Sequence, residues 1–179
     1  MTYICPKNQN IMKLLKSFLI LFIAISITSC SSDDDNSFEL VATNLVGSYN
    51  LTAYKSVETE IATASNGNES TLSTTTKTGG SFKVVVALNA NGTYSIDGNF
   101  ILTPNKGEQD VVIIASSGNY TLNATAKTIT LTVSEDEAFI GGTFDIKSFN
   151  EDKMVLKQTV DGTGDVRIDA ITDITLERN

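Results

Sequence analysis

The sequence predicts an all-β protein built as an eight-stranded antiparallel up-and-down barrel, and three observations carry that prediction. Short runs alternate apolar and polar residues with a period of two. Turn signals separate these runs at short, regular spacing. No segment beyond residue 30 shows a convincing helical period. An even series of hairpins favours closure, because a closed barrel leaves no unpaired strand edge open to aggregation.

Taken in order, residues 38–44 read as a lead-in, and LVGSYNLTAYKSV (45–57) opens the first strand. Gly47, Tyr49, Leu51 and Ala53 fall on one face, with Ser48, Asn50 and Thr52 on the other. Residues 61–80 are almost all small or polar, and are expected to form a loop or an irregular strand edge. SFKVVVAL places Phe82, Val84, Val86 and Leu88 on one face, Asn91-Gly92 turns the chain, and TYSIDGNFIL returns with Tyr94 and Ile96. Asn-Gly is a strong hairpin signal because both residues tolerate positive φ. VVIIA at 111–115 is a short apolar strand, and Gly118 precedes NYTLNA. There Tyr120 and Leu122 face Ile129, Leu131 and Val133 of TITLTV. Residues 134–137 make an acidic turn. GTFDIKSF carries Phe144 and Ile146, and KMVLKQTV carries Met154, Leu156 and Val160. After Asp161-Gly162-Thr163-Gly164 the last strand is DVRIDAITDITLER. The count is eight or nine strands.

Several short motifs in this series resemble the lipocalin-like lipoprotein domain of Bacteroidetes. Leu45-Val46-Gly47-Ser48-Tyr49 is similar to that family's first-strand Gly-x-Trp pattern, with Tyr49 where tryptophan is usual. Leu88-Asn89-Ala90-Asn91-Gly92-Thr93-Tyr94 resembles its Phe-x-x-Asp-Gly-x-Tyr hairpin. Gly118-Asn119-Tyr120 and Asp152-Lys153-Met154 resemble two later strand starts. The resemblance spans residues 45–178 and implies a lipocalin-like barrel. It also implies closure through a last-strand arginine packed on the first-strand aromatic: Arg178 over Tyr49, beside Gly47, with Arg167 as the competing arginine. An immunoglobulin-like sandwich is the alternative fold for the same strand spacing.

The N-terminus carries an address. Lys13 and Lys16 precede a ten-residue apolar or small run, 18–27, and Thr28-Ser29-Cys30 follows at once. That order is the one found in a secretory signal peptide. The run is too short to span a membrane, which takes roughly 20 helical residues. Ile27-Thr28-Ser29-Cys30 resembles the bacterial lipobox, which implies cleavage before Cys30 and a diacylglyceryl anchor, with acyl chains such as palmitate, on its thiol. Residues 1–29 are then the signal peptide, with Met12 the expected true start, 30–40 a lipidated tether, and 41–179 the barrel domain. Ser31-Ser32-Asp33-Asp34-Asp35 is a solvated acidic run. It also resembles the acidic signal that sends Bacteroidetes lipoproteins to the outer face of the outer membrane.

Composition narrows the chemistry. Cleavage removes Lys7, Lys13 and Lys16, leaving 10 of the 13 basic residues against 21 acidic ones, a mature charge of −11. Nucleic acid and anionic lipid surfaces are poor partners for such a domain. The chain has no histidine, and Cys5 leaves with the signal peptide, so Ser-His-Asp, Cys-His and Cys/His zinc arrangements are excluded. Acidic residues fall in turns and on outer faces, where they read as solvated charge. Asp161 and Asp165 could offer oxygens to Ca²⁺ but lack the EF-hand pattern. The expectation is therefore a monomeric, non-enzymatic outer-membrane lipoprotein without cofactor or metal. Tyr49, Phe82, Tyr94, Tyr120 and Phe144 either fill the barrel or line a pocket for a small apolar or amphipathic ligand, sought at the mouth opposite Arg178. The alternative is an interaction module meeting an envelope protein or a glycan through its loops.

Overall fold

The computed structural model describes residues 38–133 and 140–179. The export signal, Cys30, the start of the tether and the acidic turn at 134–137 lie outside the described residues. One helical turn, α1 (Ala42–Leu45), leads into eight strands: β1 (Gly47–Thr63), β2 (Glu69–Leu88), β3 (Thr93–Pro104), β4 (Asp110–Asn123), β5 (Thr128–Val133), β6 (Gly142–Phe149), β7 (Lys153–Val160) and β8 (Val166–Arg178). Each strand pairs antiparallel with its neighbours in sequence, and β1 pairs with β8, so the sheet closes in the order β1 to β8. The result is an eight-stranded up-and-down barrel of lipocalin-like plan. A sandwich of two sheets is ruled out by the continuous ring of pairing.

The inward rows are apolar and tightly enclosed. Tyr49, Leu51, Val84, Leu88, Tyr94, Ile96, Phe100, Ile114, Ile129, Phe144 and Met154 are each exposed by 2 % or less. α1 closes one end, tucking Leu45 into the same core. The turns after β2, β4 and β6 share that closed end with the start of β1 and the end of β8. The other end, the mouth, carries the turns after β1, β3 and β7.

Three features differ from the sequence reading or decide between its alternatives. Residues 61–80 are strand apart from one short turn, the second of the two readings rather than a loop. β1 runs on to Thr63, turns at Ala64 to Asn68 around Gly67 (φ +82°), and returns as β2 from Glu69. Threonine's branched Cβ suits a pleated strand without a core face, and this half of β2 is paired along its length by β1. Second, a register shift between Leu51 and Ala53 reverses the alternation, so Tyr54 turns inward and Ala53 outward. Third, 111–115 and 119–123 are one strand, β4, with Gly118 inside it.

β2 carries a second bulge between Gly80 and Lys83, with Ser81 at φ +51°. Opposite it, Gly98 sits at φ +134°, and a Cβ there would lie 1.8 Å from the carbonyl oxygen of Lys83. The contact is backbone on backbone, so no side chain can move aside. Gly98→Ala is expected to cost about 3 kcal/mol or more, through overpacking and forced φ. The check is a fall in the urea midpoint at unchanged m-value.

Candidate functional site

The best-defined polar constellation lies at the closed end. Register places Tyr49 opposite Arg178 across the β1–β8 seam. The Arg178 guanidinium stands 4.9 Å from the centroid of the Tyr49 ring and 5.8 Å from that of Phe38. Its Nη1 donates to the Val46 carbonyl at 3.0 Å, and Nη2 donates to the Asn44 carbonyl at 2.5 Å and to Tyr49 Oη at 2.7 Å. Tyr49 Oη in turn donates to the Leu45 carbonyl at 2.7 Å. A Cβ on Gly47 would lie 2.7 Å from Nη1, so only glycine leaves room for the guanidinium in this position. One side chain of the last strand thus holds α1, the start of β1 and the lead-in Phe38 together. Arg167 is elsewhere, on the outer face near the β1–β2 turn. There it bonds Glu69 at 2.9 Å, Asp169 at 3.2 Å and Thr63 at 3.3 Å, and holds the Glu69 carboxyl below the usual carboxylate range.

The five aromatic residues expected to line a pocket do not converge on one. Tyr49, Tyr94 and Phe144 are exposed by 2 % or less, and Tyr120 by 7 %. They belong to the packed core, distributed around the barrel on β1, β3, β4 and β6. Phe82 is half-buried at the mouth side, its ring 5.6 Å from Phe100, which also lies 5.4 Å from Tyr54. These three rings floor the mouth. Above them on the inner face, Thr172 Oγ1 donates to the buried Ser56 Oγ at 3.3 Å, and Lys77 pairs with Glu58 at 2.6 Å. Sequence alternation missed Tyr54, Ser56 and Glu58 because the bulge at Leu51/Ala53 inverts the faces. Two inward hydroxyls, Tyr94 Oη and Ser116 Oγ, are buried without a hydrogen-bond partner.

An open pocket of about 430 Å³ lies at the closed end rather than at the mouth. It is bordered by Val41, Ala42 and Val46 around α1, Ala90 in the turn after β2, and Tyr120 and Leu122 on β4. Tyr120 Oη is already committed to the Asn89 carbonyl at 2.9 Å, so the lining is mostly apolar, with Thr43 its other polar side chain. Among the described residues no three acidic side chains gather as a metal site, and Asp161 and Asp165 form none.

No family model, curated protein or solved structure matches the chain. The geometry itself must therefore carry the reading. It displays a closure knot, a filled barrel, an aromatic floor at the mouth and an apolar pocket at the other end.

The closure knot makes Arg178→Ala the most informative substitution. It strands two carbonyls and the Tyr49 hydroxyl and removes a cation–π contact. A loss of about 2–4 kcal/mol is expected in chemical denaturation. Arg178→Lys should recover only part of it, because an ammonium cannot reproduce the planar fork.

Burial pushes the Tyr49, Tyr54 and Tyr120 hydroxyls above the ordinary tyrosine value of about 10, and at Tyr49 it outweighs the opposing pull of Arg178. A pKa raised in the folded state means that the unfolded chain loses its proton first. This contribution to stability is therefore complete below about pH 10 and declines above it. Denaturation midpoints should fall as pH rises from 10 to 11.5, and Tyr54→Phe should flatten that fall.

Proposed function

We propose that the protein is a non-enzymatic, lipid-anchored lipoprotein of the bacterial outer membrane that works as an interaction module, its mouth-side strands and loops meeting another envelope protein. One contrast carries this reading. The barrel is filled by its own side chains, while large apolar residues stand exposed around the mouth. Leu72 on β2, Val111 and Ile113 on β4, Val160 on β7 and Val166 and Ile168 on β8 are each between 48 % and 78 % exposed. β1, β2 and β8 extend past the shorter β5, β6 and β7, so Leu72, Val166 and Ile168 lie on a projection beyond the closed part of the barrel. Alternation from the buried Ile174 and Leu176 puts Val166 and Ile168 on the inner face of the projection, and Val160 lies beside them through its pairing with Ala170. Val160, Val166 and Ile168 thus form one apolar patch, with Val111 and Ile113 facing outward separately on β4, and an apolar patch of this kind marks a contact site more often than an ordinary exterior. The mature charge of −11 disfavours nucleic acid and anionic lipid as the partner.

A second reading, a carrier for a small amphipathic ligand, is favoured by the half-buried rings of Tyr54 and Phe82 over the buried Phe100 and by the unpartnered hydroxyls of Tyr94 and Ser116. Native mass spectrometry on the soluble fragment from Ser32 to Asn179, purified from its own host, separates the two. A clean apo mass is expected. In-cell cross-linking should then capture one envelope protein with the native chain and lose it with Ile168→Asp or Val166→Asp. A stoichiometric small molecule, released by Tyr94→Phe or Phe82→Ala, would replace the interaction reading with the carrier.

A further inference from the structure

We infer that the closed end of the barrel rests against the membrane that holds Cys30, and that its open apolar pocket receives acyl chains of that leaflet while the mouth is displayed away from it. The inference rests on the lipid-anchor reading of Cys30 and deepens it by assigning a face to the lipid.

Two independent observations lead there. The first is a matter of reach. The first described residue, Phe38, sits with its ring 5.1 Å from that of Phe149, at the end of β6, and within cation–π distance of Arg178, at the end of β8. The chain therefore leaves the barrel toward its N-terminus at the closed end. Eight residues, 30–37, separate that point from the lipid, and at about 3.6 Å each they span at most about 29 Å. β1 is 17 residues long, about 56 Å at about 3.3 Å per residue. With a strand tilt of about 40°, its rise along the barrel axis is about 43 Å. The tether is shorter than the barrel is tall, so the mouth cannot turn to face the leaflet in which Cys30 is anchored.

The second observation concerns the surface. The end that the tether holds nearest the lipid is the one with the open pocket, lined mainly by Val41, Ala42, Val46, Ala90 and Leu122, with Thr43 among them. Its Tyr120 hydroxyl is already bonded within the fold, so a headgroup or a polar ligand finds little there to recognise. An acyl chain needs no polar partner, and the anchor supplies the proximity. The large exposed apolar residues at the mouth then remain free for a partner that approaches from the far side.

The chain contains no tryptophan, so a single introduced one is a clean reporter. Full-length, lipidated protein carrying Ala90→Trp, or Ala124→Trp in the turn after β4 at the pocket's edge, is reconstituted into phosphatidylcholine vesicles with brominated acyl chains and compared with Leu72→Trp at the mouth. Circular dichroism checks that each variant is folded, and intact mass checks the lipid on Cys30. The closed-end reporters should lose at least half of their fluorescence relative to unbrominated vesicles, and Leu72→Trp should lose little. Lipidated protein with unquenched closed-end reporters, or with Leu72→Trp quenched as strongly, would overturn the orientation and leave the anchor standing. Protein purified from its host without a diacylglyceryl group would overturn the anchor and the orientation together.

Discussion

Everything in this molecule depends on β1 finding a partner along both edges. It is paired to β2 over Gly47–Asn50 and Lys55–Thr63 and to β8 from Tyr49 to Ala62, so most of its backbone polar groups are satisfied without water. A twisted sheet reaches that state only if its ends meet in register. Bulges at Leu51/Ala53 on β1 and at Gly80/Lys83 on β2 supply the local bending. Arg178 then binds the seam to α1. Its guanidinium satisfies two carbonyls, of Asn44 within and of Val46 just after the only helical turn among the described residues. Without the arginine those acceptors would face a closed apolar end.

The same closure limits what the protein can do. Rows of Ile, Leu, Val, Phe and Tyr from all eight strands meet in the middle at near-zero exposure. A barrel of eight strands has room for side chains or for one small ligand, and here side chains take the space. The knot of Tyr49 and Arg178 is polar and partly buried, yet each donor in it except Nε has a structural acceptor. Its charge is occupied in holding the barrel shut.

Much of this was legible in the residues. Asn91-Gly92 gave the β2–β3 turn, and alternation gave the inward rows of β2, β5, β6 and β7. The resemblance carried by Gly47 and Tyr49 pointed to Arg178. What stayed hidden has physical causes. A bulge adds one residue without any compositional mark, so Tyr54, Ser56 and Glu58 were assigned no face. Residues 61–80 are mostly small or polar on both faces, so a pattern that looks for burial finds none. The strand forms because β1 offers it a continuous ladder. Asn66-Gly67 did announce that turn, but it was obscured by the polar run around it. The pocket at the closed end is bordered by a helical turn and two hairpins far apart in sequence, and no local motif marks such a meeting.

The two ends of the barrel therefore differ in stability as well as in surface. At the closed end, α1, Arg178 and the core anchor each other through buried contacts. At the mouth, the projecting parts of β1, β2 and β8 have ladder hydrogen bonds but little apolar burial, with Arg167, Glu69 and Asp169 adding exposed ion pairs worth little individually. Hydrogen bonds open to solvent contribute less net stability than a packed core, so local opening should begin at the mouth. A partner seated on Val160, Val166 and Ile168 would supply the burial that this sheet lacks. The segment least stabilised by the fold is thus the one with most to gain from being covered, which is why the mouth, rather than the packed lumen, is the place to look for function.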